Sequence, residues 1–280
     1  MDGAQALIKT LSELGIEYVF GYSGGAALPI FDALETVESD IKFVLSRHEQ
    51  GACHMADGYA RATGKPAVVL VTSGPGAGNT ITGIMTAHMD SIPMIVISGQ
   101  QVTWMLGKDA FQEADTFGLT MPVVKHNYLV RETNELPRAA KEAYYIATTG
   151  RPGPVLIDIP KDVSQSEFTG DLDPEIDLPG YDPKGAFNIN KEAIKTAAEI
   201  ISHSKKPVIL AGHGTMIARA DKELMELATT LNCPVTSTLL GKGVFPETHP
   251  LSLGMLGMHG TYEANMAMHN SDLIIAVGAR

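Results

Sequence analysis

One carboxylate in this sequence stands where ligand chemistry is common in α/β proteins. A short apolar run at 43–45 is followed by Ser46 and Arg47, and a helical stretch rich in small residues begins near Glu49. Open α/β sheets bind their ligands at the carboxyl ends of strands, which is where this order of residues places Glu49. Glu49 is therefore a candidate for acid–base chemistry. A carboxylate in such a position can also be only a helix cap or half of a salt bridge.

The residues around Glu49 could also suggest a metal site. His48, Cys53 and His54 lie close together in the sequence. The two histidines are six positions apart, which puts them on different faces of a helix, whereas the zinc-binding helix of metalloproteases needs a spacing of four. The spacing does not favour zinc.

Two glycine-rich turns are the other candidate binding elements. Residues 74–78 (Gly-Pro-Gly-Ala-Gly) join an apolar run to a helical pattern and could receive a phosphate or a ring at the helix N-terminus. They do not match the dinucleotide-binding fingerprint, and tight packing of the turn would explain them equally well. Residues 212–214 (Gly-His-Gly) form a similar turn later in the chain. Either turn alone is a weak signal.

The elements that would position these residues alternate between strand and helix. Helical spacing of apolar residues covers 2–14, with Asp2 as N-cap and Gly15 as the stop, and continuous β-branched runs mark buried strands. The predicted strands are 17–22, 41–45, 67–72, 93–98, 123–130 and 154–159, and helices are predicted at 28–35, 49–62, near 79–89 and at 135–147. Such alternation predicts one six-stranded parallel sheet.

A second alternating pattern follows a linker. Residues 164–188 are acidic and rich in proline and glycine without periodicity, which is typical of a linker. Beyond it the pattern predicts helices at 191–203, 218–231 and 262–268 and strands at 208–211, 235–238 and 273–277. We therefore expect an α/β protein with two successive doubly wound, Rossmann- or flavodoxin-like domains at 1–163 and 189–280. The second is expected to be incomplete, because the chain stops just after a strand.

Composition excludes several classes of protein. The 280 residues carry a formal net charge of -11, which argues against a nucleic-acid partner. The longest apolar runs are too short to cross a bilayer, and acidic Asp2 follows Met1 where a signal peptide would be basic. Cys53 and Cys233 are far apart in sequence, so they are expected to be buried thiols in a reducing compartment. A cytoplasmic location is expected.

Several longer motifs together identify a family. They are V-F-G-Y-S-G-G-A (19–26), R-H-E-Q-G-A-C-H-M-A-D-G-Y-A-R (47–61), T-S-G-P-G-A-G-N (72–79), D-S-I-P-M-I-V-I-S-G-Q (90–100), G-K-D-A-F-Q-E (107–113), K-H-N-Y-L-V (125–130), R-P-G-P-V-L-I-D-I-P-K-D (151–162) and L-G-M-L-G-M-H-G (253–260). With these motifs the chain resembles the catalytic subunits of acetohydroxyacid (acetolactate) synthases, which are thiamine-diphosphate enzymes. The segments 47–61 and 72–79 are shared by many thiamine-diphosphate enzymes, whereas 107–113, 125–130 and 253–260 point more narrowly to the synthases.

The resemblance implies a role for each matching residue near the thiamine. Glu49 matches the glutamate that bonds N1′ of the aminopyrimidine and favours the imino form, whose N4′ can remove the proton from C2. Gly25 and Gln112 match residues at the reaction centre. Phe111 and Lys161 match residues of the substrate channel. Further thiamine-diphosphate contacts are implied for Pro75, Gly76 and Asn79.

The resemblance also implies FAD, with a role that is mostly structural, and Mg²⁺. The flavin-contacting positions are matched by Arg151, Gly212, His213, Gly214, Thr238, Leu239, Met258, His259, Gly260, Gly278 and Arg280. The family has a pyrimidine-binding domain, a central flavin-binding domain and a third domain that holds Mg²⁺ and the diphosphate. Its G-D-G…N-N motif is absent here, so the resemblance implies no metal ligand in this chain.

The implied reaction is decarboxylation of pyruvate and its ligation to pyruvate or 2-oxobutyrate, in branched-chain amino acid biosynthesis. A homodimer or homotetramer and a small regulatory subunit are implied partners. Ser23 stands where the family usually has proline, and 101–104 lacks a proline common there, which leaves the shape of the substrate channel open. The alternatives are another flavin-containing thiamine-diphosphate enzyme, such as a pyruvate oxidase or a carboligase, and an inactive fragment that only binds partners.

Overall fold

The computed structural model describes residues 1–181 and 189–280, so residues 182–188 of the predicted linker lie outside the described residues. The backbone forms two compact units, Met1–Ala186 and Phe187–Arg280. Each contains a parallel sheet flanked by helices, which confirms the predicted α/β class. No helix within the described ranges is both long enough and apolar enough to cross a membrane.

The first unit is built on the six-stranded parallel sheet that the sequence predicts. Its strands, in the spatial order β2-β1-β3-β4-β6-β5, are β1 (Tyr18–Gly21), β2 (Lys42–Leu45), β3 (Ala67–Val71), β4 (Met94–Gln100), β5 (His126–Leu129) and β6 (Pro154–Pro160). The helices are α1 (Gly3–Glu13), α2 (Leu28–Thr36), α3 (Glu49–Thr63), α4 (Pro75–Gly78), α5 (Ile81–Asp90), α6 (Thr116–Thr120), α7 (Leu136–Thr148) and α8 (Lys161–Gln165). The strand order reverses between β1 and β3, and such switch points are where open parallel sheets bind ligands.

Two apolar cores, one on each face, hold this sheet. Along β3, Val68 and Leu70 pack with α1, α2 and α7, while Val69 and Val71 pack with α3 and α5. Alternate side chains of a strand point to opposite faces, so a strand covered on both sides reads as one continuous apolar run. Burial of each such side chain contributes about 1.5–3 kcal/mol relative to exposure.

The small residues of α3 have a structural consequence. A Cβ built on Gly83 of α5 would collide with the side chain of Cys53 in α3. Because neither helix presents a bulky residue at this contact, α5 lies close against α3. Cys53 and Cys233 are both buried and free, as the sequence predicts.

The described part of the predicted linker, 164–181, packs on the first unit. The Phe168 amide donates to the carbonyl of Met1 (3.0 Å), and Phe168 is buried. Further along, the Lys141 ammonium donates to Asp173 (2.5 Å), and the Tyr181 hydroxyl donates to the carbonyl of Lys125 (3.3 Å).

The second unit has a four-stranded parallel sheet, one strand more than the sequence predicts. Its strands, in the order β10-β7-β8-β9, are β7 (Pro207–Ala211), β8 (Val235–Ser237), β9 (Ser252–Met255) and β10 (Leu273–Val277). Its helices are α9 (Lys191–His203), α10 (His213–Ile217), α11 (Asp221–Leu231) and α12 (Tyr262–Asn270). The sequence does not predict β9, because its residues, Ser-Leu-Gly-Met, include a glycine and form no continuous apolar run. In the structure Gly254 has a φ of 78°.

Candidate functional site

Glu49 is the first residue of α3, directly beyond the carboxyl end of β2. The cap of this helix is His48, whose Nδ1 accepts a hydrogen bond from the amide of Gln50 (3.1 Å). The carboxylate of Glu49 is therefore not needed as the cap, which removes one of the two alternatives for this residue. Glu49 is only 8% exposed, and its negative charge lies at the helix end that favours anions.

The glycine-rich turn after β3 meets this carboxylate. Asn79 donates from Nδ2 to Oε2 of Glu49 (2.9 Å). A Cβ built on Gly76 would lie 3.4 Å from Oε1 of Glu49 and 2.7 Å from Cγ2 of Thr72. Glycine at 76 thus lets the turn pack against both side chains at once. The structure brings together three predicted site residues, Glu49, Gly76 and Asn79.

Thr72, which the sequence analysis did not single out, connects this turn to the one after β1. Its Oγ1 accepts a hydrogen bond from the amide of Ala26 (3.3 Å), and a Cβ on Gly24 would lie 2.6 Å from its Cγ2. Gly25, between them, is exposed and has no atom within 4 Å of the place where a Cβ would stand. The turn that carries Gly25 is therefore fixed by its neighbours while Gly25 faces open space. The only signal for Thr72 was its place at the start of the 72–79 motif.

The segment 101–114, which follows β4, brings two more predicted residues to the same edge of the sheet. The backbone of Gln112 lies against Gly74, whose added Cβ would be 2.8 Å from the Gln112 carbonyl carbon. Gly74 has a φ of 54° and Gln112 a φ of 56°, so both adopt backbone conformations that side chains disfavour. Phe111 is 82% exposed, and Pro75 is an exposed first residue of α4.

Lys161 and Arg151 lie elsewhere in the first unit. Lys161 lines a cavity of about 400 Å³ together with residues of α1 and α2, among them Gln5 and Asp32. Arg151 precedes β6 and so lies at the amino end of the sheet, opposite Glu49. Its guanidinium donates to Oγ of Ser91 and to the carbonyl of His88, both at 2.8 Å.

In the second unit, the predicted flavin positions follow the carboxyl ends of all four parallel strands. Gly212, His213 and Gly214 follow β7, Thr238 and Leu239 follow β8, Met258, His259 and Gly260 follow β9, and Gly278 and Arg280 follow β10. Parallel strands end at one edge, so the sheet gathers these residues from four separate segments. β9 is needed for this arrangement, because it brings 258–260 to the edge.

Close backbone approach at this edge depends on glycine. The Gly214 amide donates to the Gly278 carbonyl (2.9 Å), and a Cβ on Gly214 would lie 2.9 Å from Cα of Gly278. Gly278 has a φ of 61°, and a Cβ there would also lie 2.8 Å from Oγ1 of Thr215. Met258 and Leu239, which follow β9 and β8 at the same edge, are exposed. The edge therefore presents bare backbone flanked by apolar side chains.

The groups around Glu49 fit the pyrimidine end of thiamine diphosphate. One carboxylate oxygen accepts from Asn79, and the other has no side chain from residue 76 against it, as a carboxylate that bonds a ring nitrogen requires. Within residues 1–181 and 189–280, no cluster of three or more histidine, cysteine or acidic side chains could hold a metal ion. The implied site for Mg²⁺ outside this chain stays a prediction.

Comparisons with known proteins agree with this geometry. Residues 1–119 match the family model described as thiamine pyrophosphate enzyme, N-terminal TPP binding domain, and residues 194–280 match the thiamine pyrophosphate enzyme central domain. Relatives include an acetolactate synthase large subunit of Haemophilus influenzae (51% identical) and the isozyme 3 large subunit of Escherichia coli (51%). Each alignment covers 100% of this chain and 49% of the relative, so the chain spans about half the length of these curated relatives.

A solved structure is similar over the whole chain as well. It is a putative thiamin diphosphate-dependent enzyme from Mycobacterium smegmatis, with a TM-score of 0.85 and 30% identity, covering 100% of this chain and 52% of the other. One assignment follows from the edge of the first sheet that carries Glu49, from the two family models and from the relatives. The chain belongs to the thiamine pyrophosphate enzymes, and it resembles acetolactate synthase large subunits along its entire length.

Proposed function

We propose that this chain supplies the pyrimidine-binding half of an acetolactate synthase active site. The observation that carries the proposal is the buried Glu49 carboxylate, held by Asn79 and packed against Gly76 at the switch point of the first sheet. The substrates are pyruvate and a second 2-oxo acid, either pyruvate or 2-oxobutyrate. The products are 2-acetolactate or 2-aceto-2-hydroxybutyrate, which lead to branched-chain amino acids.

Thiamine diphosphate, when bound, supplies the carbanion chemistry that decarboxylates a 2-oxo acid. Glu49 shares a proton with a ring nitrogen of the pyrimidine, and Asn79 keeps its carboxylate in place. Gly25 leaves room for the ring, and Pro75 begins the helical turn that contains Gly76.

Phe111 and Gln112 face the substrate from segment 101–114, and Lys161 serves the entry channel. The cavity that Lys161 lines beside α1 and α2 supports a position at the protein surface for that channel.

The second unit is proposed to hold FAD in a structural role. A planar flavin ring and the chain of atoms attached to it could contact the bare backbone at 212–214 and 278 and the exposed side chains of Leu239 and Met258. Arg151, His213, Thr238, His259, Gly260 and Arg280 are further proposed contacts. In domain terms we propose 1–163 as the pyrimidine-binding domain, 164–188 as the linker and 189–280 as the flavin-binding domain.

The remaining components of the enzyme are proposals of the same kind. They are Mg²⁺ and the diphosphate on a separate domain, a homodimer or homotetramer, and a cytoplasmic location. The named relatives are large subunits, which supports a small regulatory subunit as a partner here.

The test is an assay of this chain reconstituted with a diphosphate-binding domain and supplied with pyruvate, thiamine diphosphate, Mg²⁺ and FAD. We expect acetolactate without net flavin reduction. Formation of peroxide would instead identify a pyruvate oxidase. Glu49→Gln should lower kcat by roughly 10²- to 10⁴-fold, the usual range for loss of a positioned proton-transfer group. Glu35→Gln, an exposed carboxylate on α2, is the matched control and should leave kcat unchanged.

A further inference from the structure

A buried pair, Gln100 and Asp158, lies beneath segment 101–114 and is used by no step proposed above. Both side chains are 2% exposed, at the carboxyl ends of the neighbouring strands β4 and β6. The segment above them carries Phe111 and Gln112 and also Trp104, the only tryptophan of the sequence.

The amide of Gln100 ties both ends of the segment to Asp158. Its Nε2 donates to Oδ2 of Asp158 (2.9 Å) and to the carbonyl of Ala114 (3.0 Å), and its Oε1 accepts from the amide of Gln101 (2.9 Å). The second oxygen of Asp158 accepts from Oγ of Ser98 (2.6 Å). A single amide therefore connects the buried carboxyl with the first and last residues of the segment.

Within the segment, hydrogen bonds carry this connection to Phe111 and Gln112. Nε2 of Gln101 donates to the carbonyl of Phe111 (2.6 Å). Glu113 accepts from the amide of Ala110 (2.8 Å) and from that of Gly107. The segment is thus hydrogen-bonded within itself and anchored at Gln100, with a second contact from Thr103 to the carboxylate of Asp162 (2.9 Å from the amide).

We propose that Asp158 is a positioning residue, which through Gln100 holds segment 101–114, and with it Phe111 and Gln112, in place. The proposal depends on the proposed function only for what Phe111 and Gln112 contact. The hydrogen bonds that connect Asp158 through Gln100 to the segment belong to this chain alone.

Oδ2 of Asp158 can accept from Gln100 whether or not the carboxyl is protonated, and burial of the carboxyl favours the protonated form. The pKa of Asp158 is raised to about 7, chiefly by burial and also by the nearby Asp115 carboxylate, against the lowering effect of the hydrogen bonds from Ser98 and Gln100. Asp158 lies at a cavity of about 480 Å³ under the segment, and the other charged residues that line this cavity are Asp109, Glu113, Asp115 and Arg131. Glu113 has a lowered pKa because it accepts the amides of Ala110 and Gly107, so it stays ionised near neutral pH.

The direction of the pH effect follows from linkage. Opening the segment admits water to Asp158 and returns its pKa toward the ordinary range, so the closed segment binds the proton more tightly than the open one. Closure is therefore strongest at acid pH. It weakens as the pH rises from about 4 toward 7 and stays constant above that.

The experiment is amide hydrogen exchange of the full chain, without cofactor or substrate, at pH 5 and pH 8. Rates are corrected for the intrinsic chemistry, and the emission of Trp104 is recorded in parallel. For the amides of Gln101 and Glu113 we expect about tenfold greater protection at pH 5 than at pH 8, below the limit that full solvation of Asp158 would give. Equal protection at the two pH values would overturn the proposal.

Two variants separate positioning from a merely structural role. Asp158→Asn resembles the protonated acid, since its amide can donate to Ser98 while its oxygen still accepts from Gln100, and should make protection equal at pH 5 and pH 8. If the pH dependence persists in this variant, another group causes it and the proposal fails.

Ser98→Ala keeps the link to the segment and removes a donor to the carboxylate, so it should move the transition to higher pH. An unmoved midpoint would also contradict the proposal. Because these readouts need no catalysis, a failure of the proposed acetolactate synthase activity would leave them unaffected.

Discussion

Alanine at Gly74 should damage the candidate site and the stability of the first unit together. Gly74 has a φ of 54° and a ψ of -114°, outside the regions open to side-chain-bearing residues. A residue forced into such a conformation costs about 1–3 kcal/mol. Its new Cβ would also stand 2.8 Å from the carbonyl carbon of Gln112. This neighbour is backbone and cannot swing aside, so overpacking adds about 1–3 kcal/mol.

Together these effects predict a loss of roughly 2–6 kcal/mol for Gly74→Ala. In a unit of this size each kcal/mol lowers the melting temperature by about 2–4 °C, so Tm should fall by roughly 4–24 °C. The matched control is Gly78→Ala in the same turn. No atom lies within 4 Å of its added Cβ, and Gly78 is helical. Alanine there should be neutral or stabilise by up to about 1 kcal/mol.

The measurement is urea unfolding of the wild type and both variants, followed by circular dichroism. The reasoning is refuted if Gly74→Ala and Gly78→Ala differ by less than about 0.5 kcal/mol, within the usual effect of a neutral surface substitution. Such a result would mean that the backbone of Gln112 does not rest on Gly74. The placement of segment 101–114 against the glycine-rich turn would then be wrong.

Three further predictions test other parts of the first and second units. The folded-state pKa of Asp158 is raised from 3.8 to about 7, so its proton stabilises the fold at acid pH, and this contribution is lost as the pH rises toward 7. In urea unfolding, the wild type should therefore lose roughly 2–3 kcal/mol of stability between pH 5 and pH 8 relative to Asp158→Asn. Cys53 and Cys233 are buried, and burial raises the pKa of both thiols, that of Cys53 to about 12. Neither thiol should react with a thiol reagent at pH 8 until urea unfolds the chain. Prompt labelling of Cys53 would contradict its packing between α3 and α5. Arg61 of α3 pairs with Asp57 in the same helix (2.7 Å) and with Asp90 of α5 (2.6 Å), so Arg61→Met should destabilise by about 1–2 kcal/mol in thermal unfolding. Lys195→Met, which breaks an exposed pair on α9, should change stability by less than about 0.5 kcal/mol.

The alternating apolar pattern was enough to predict most of the fold. Continuous β-branched runs such as 67–71 predict strands buried on both faces, and helices between them require parallel pairing, so the six-stranded sheet follows from local sequence. The prediction of the fold was weakest at β9, where the apolar pattern of the sequence does not indicate the strand that the structure contains. β9 contains a glycine at positive φ, and its pairing with β8 is irregular. Its place in the sheet thus comes from its neighbours rather than from its own residues.

In the candidate site, too, some features follow from the local sequence and others only from the tertiary structure. The sequence alone placed Glu49 at the start of a helix after a strand, because the end of an apolar run and the start of a small-residue helix are local features. Only the tertiary structure decided which residues meet it. β1 lies between β2 and β3, so the turns after these three strands converge, and this convergence brings Gly76, Asn79 and Thr72 to one place. The burial of Asp158 beneath segment 101–114 likewise depends on the pairing of β4 with β6, strands far apart in the chain. Residue types are written locally, whereas distances between remote segments follow from strand order, which no single segment encodes.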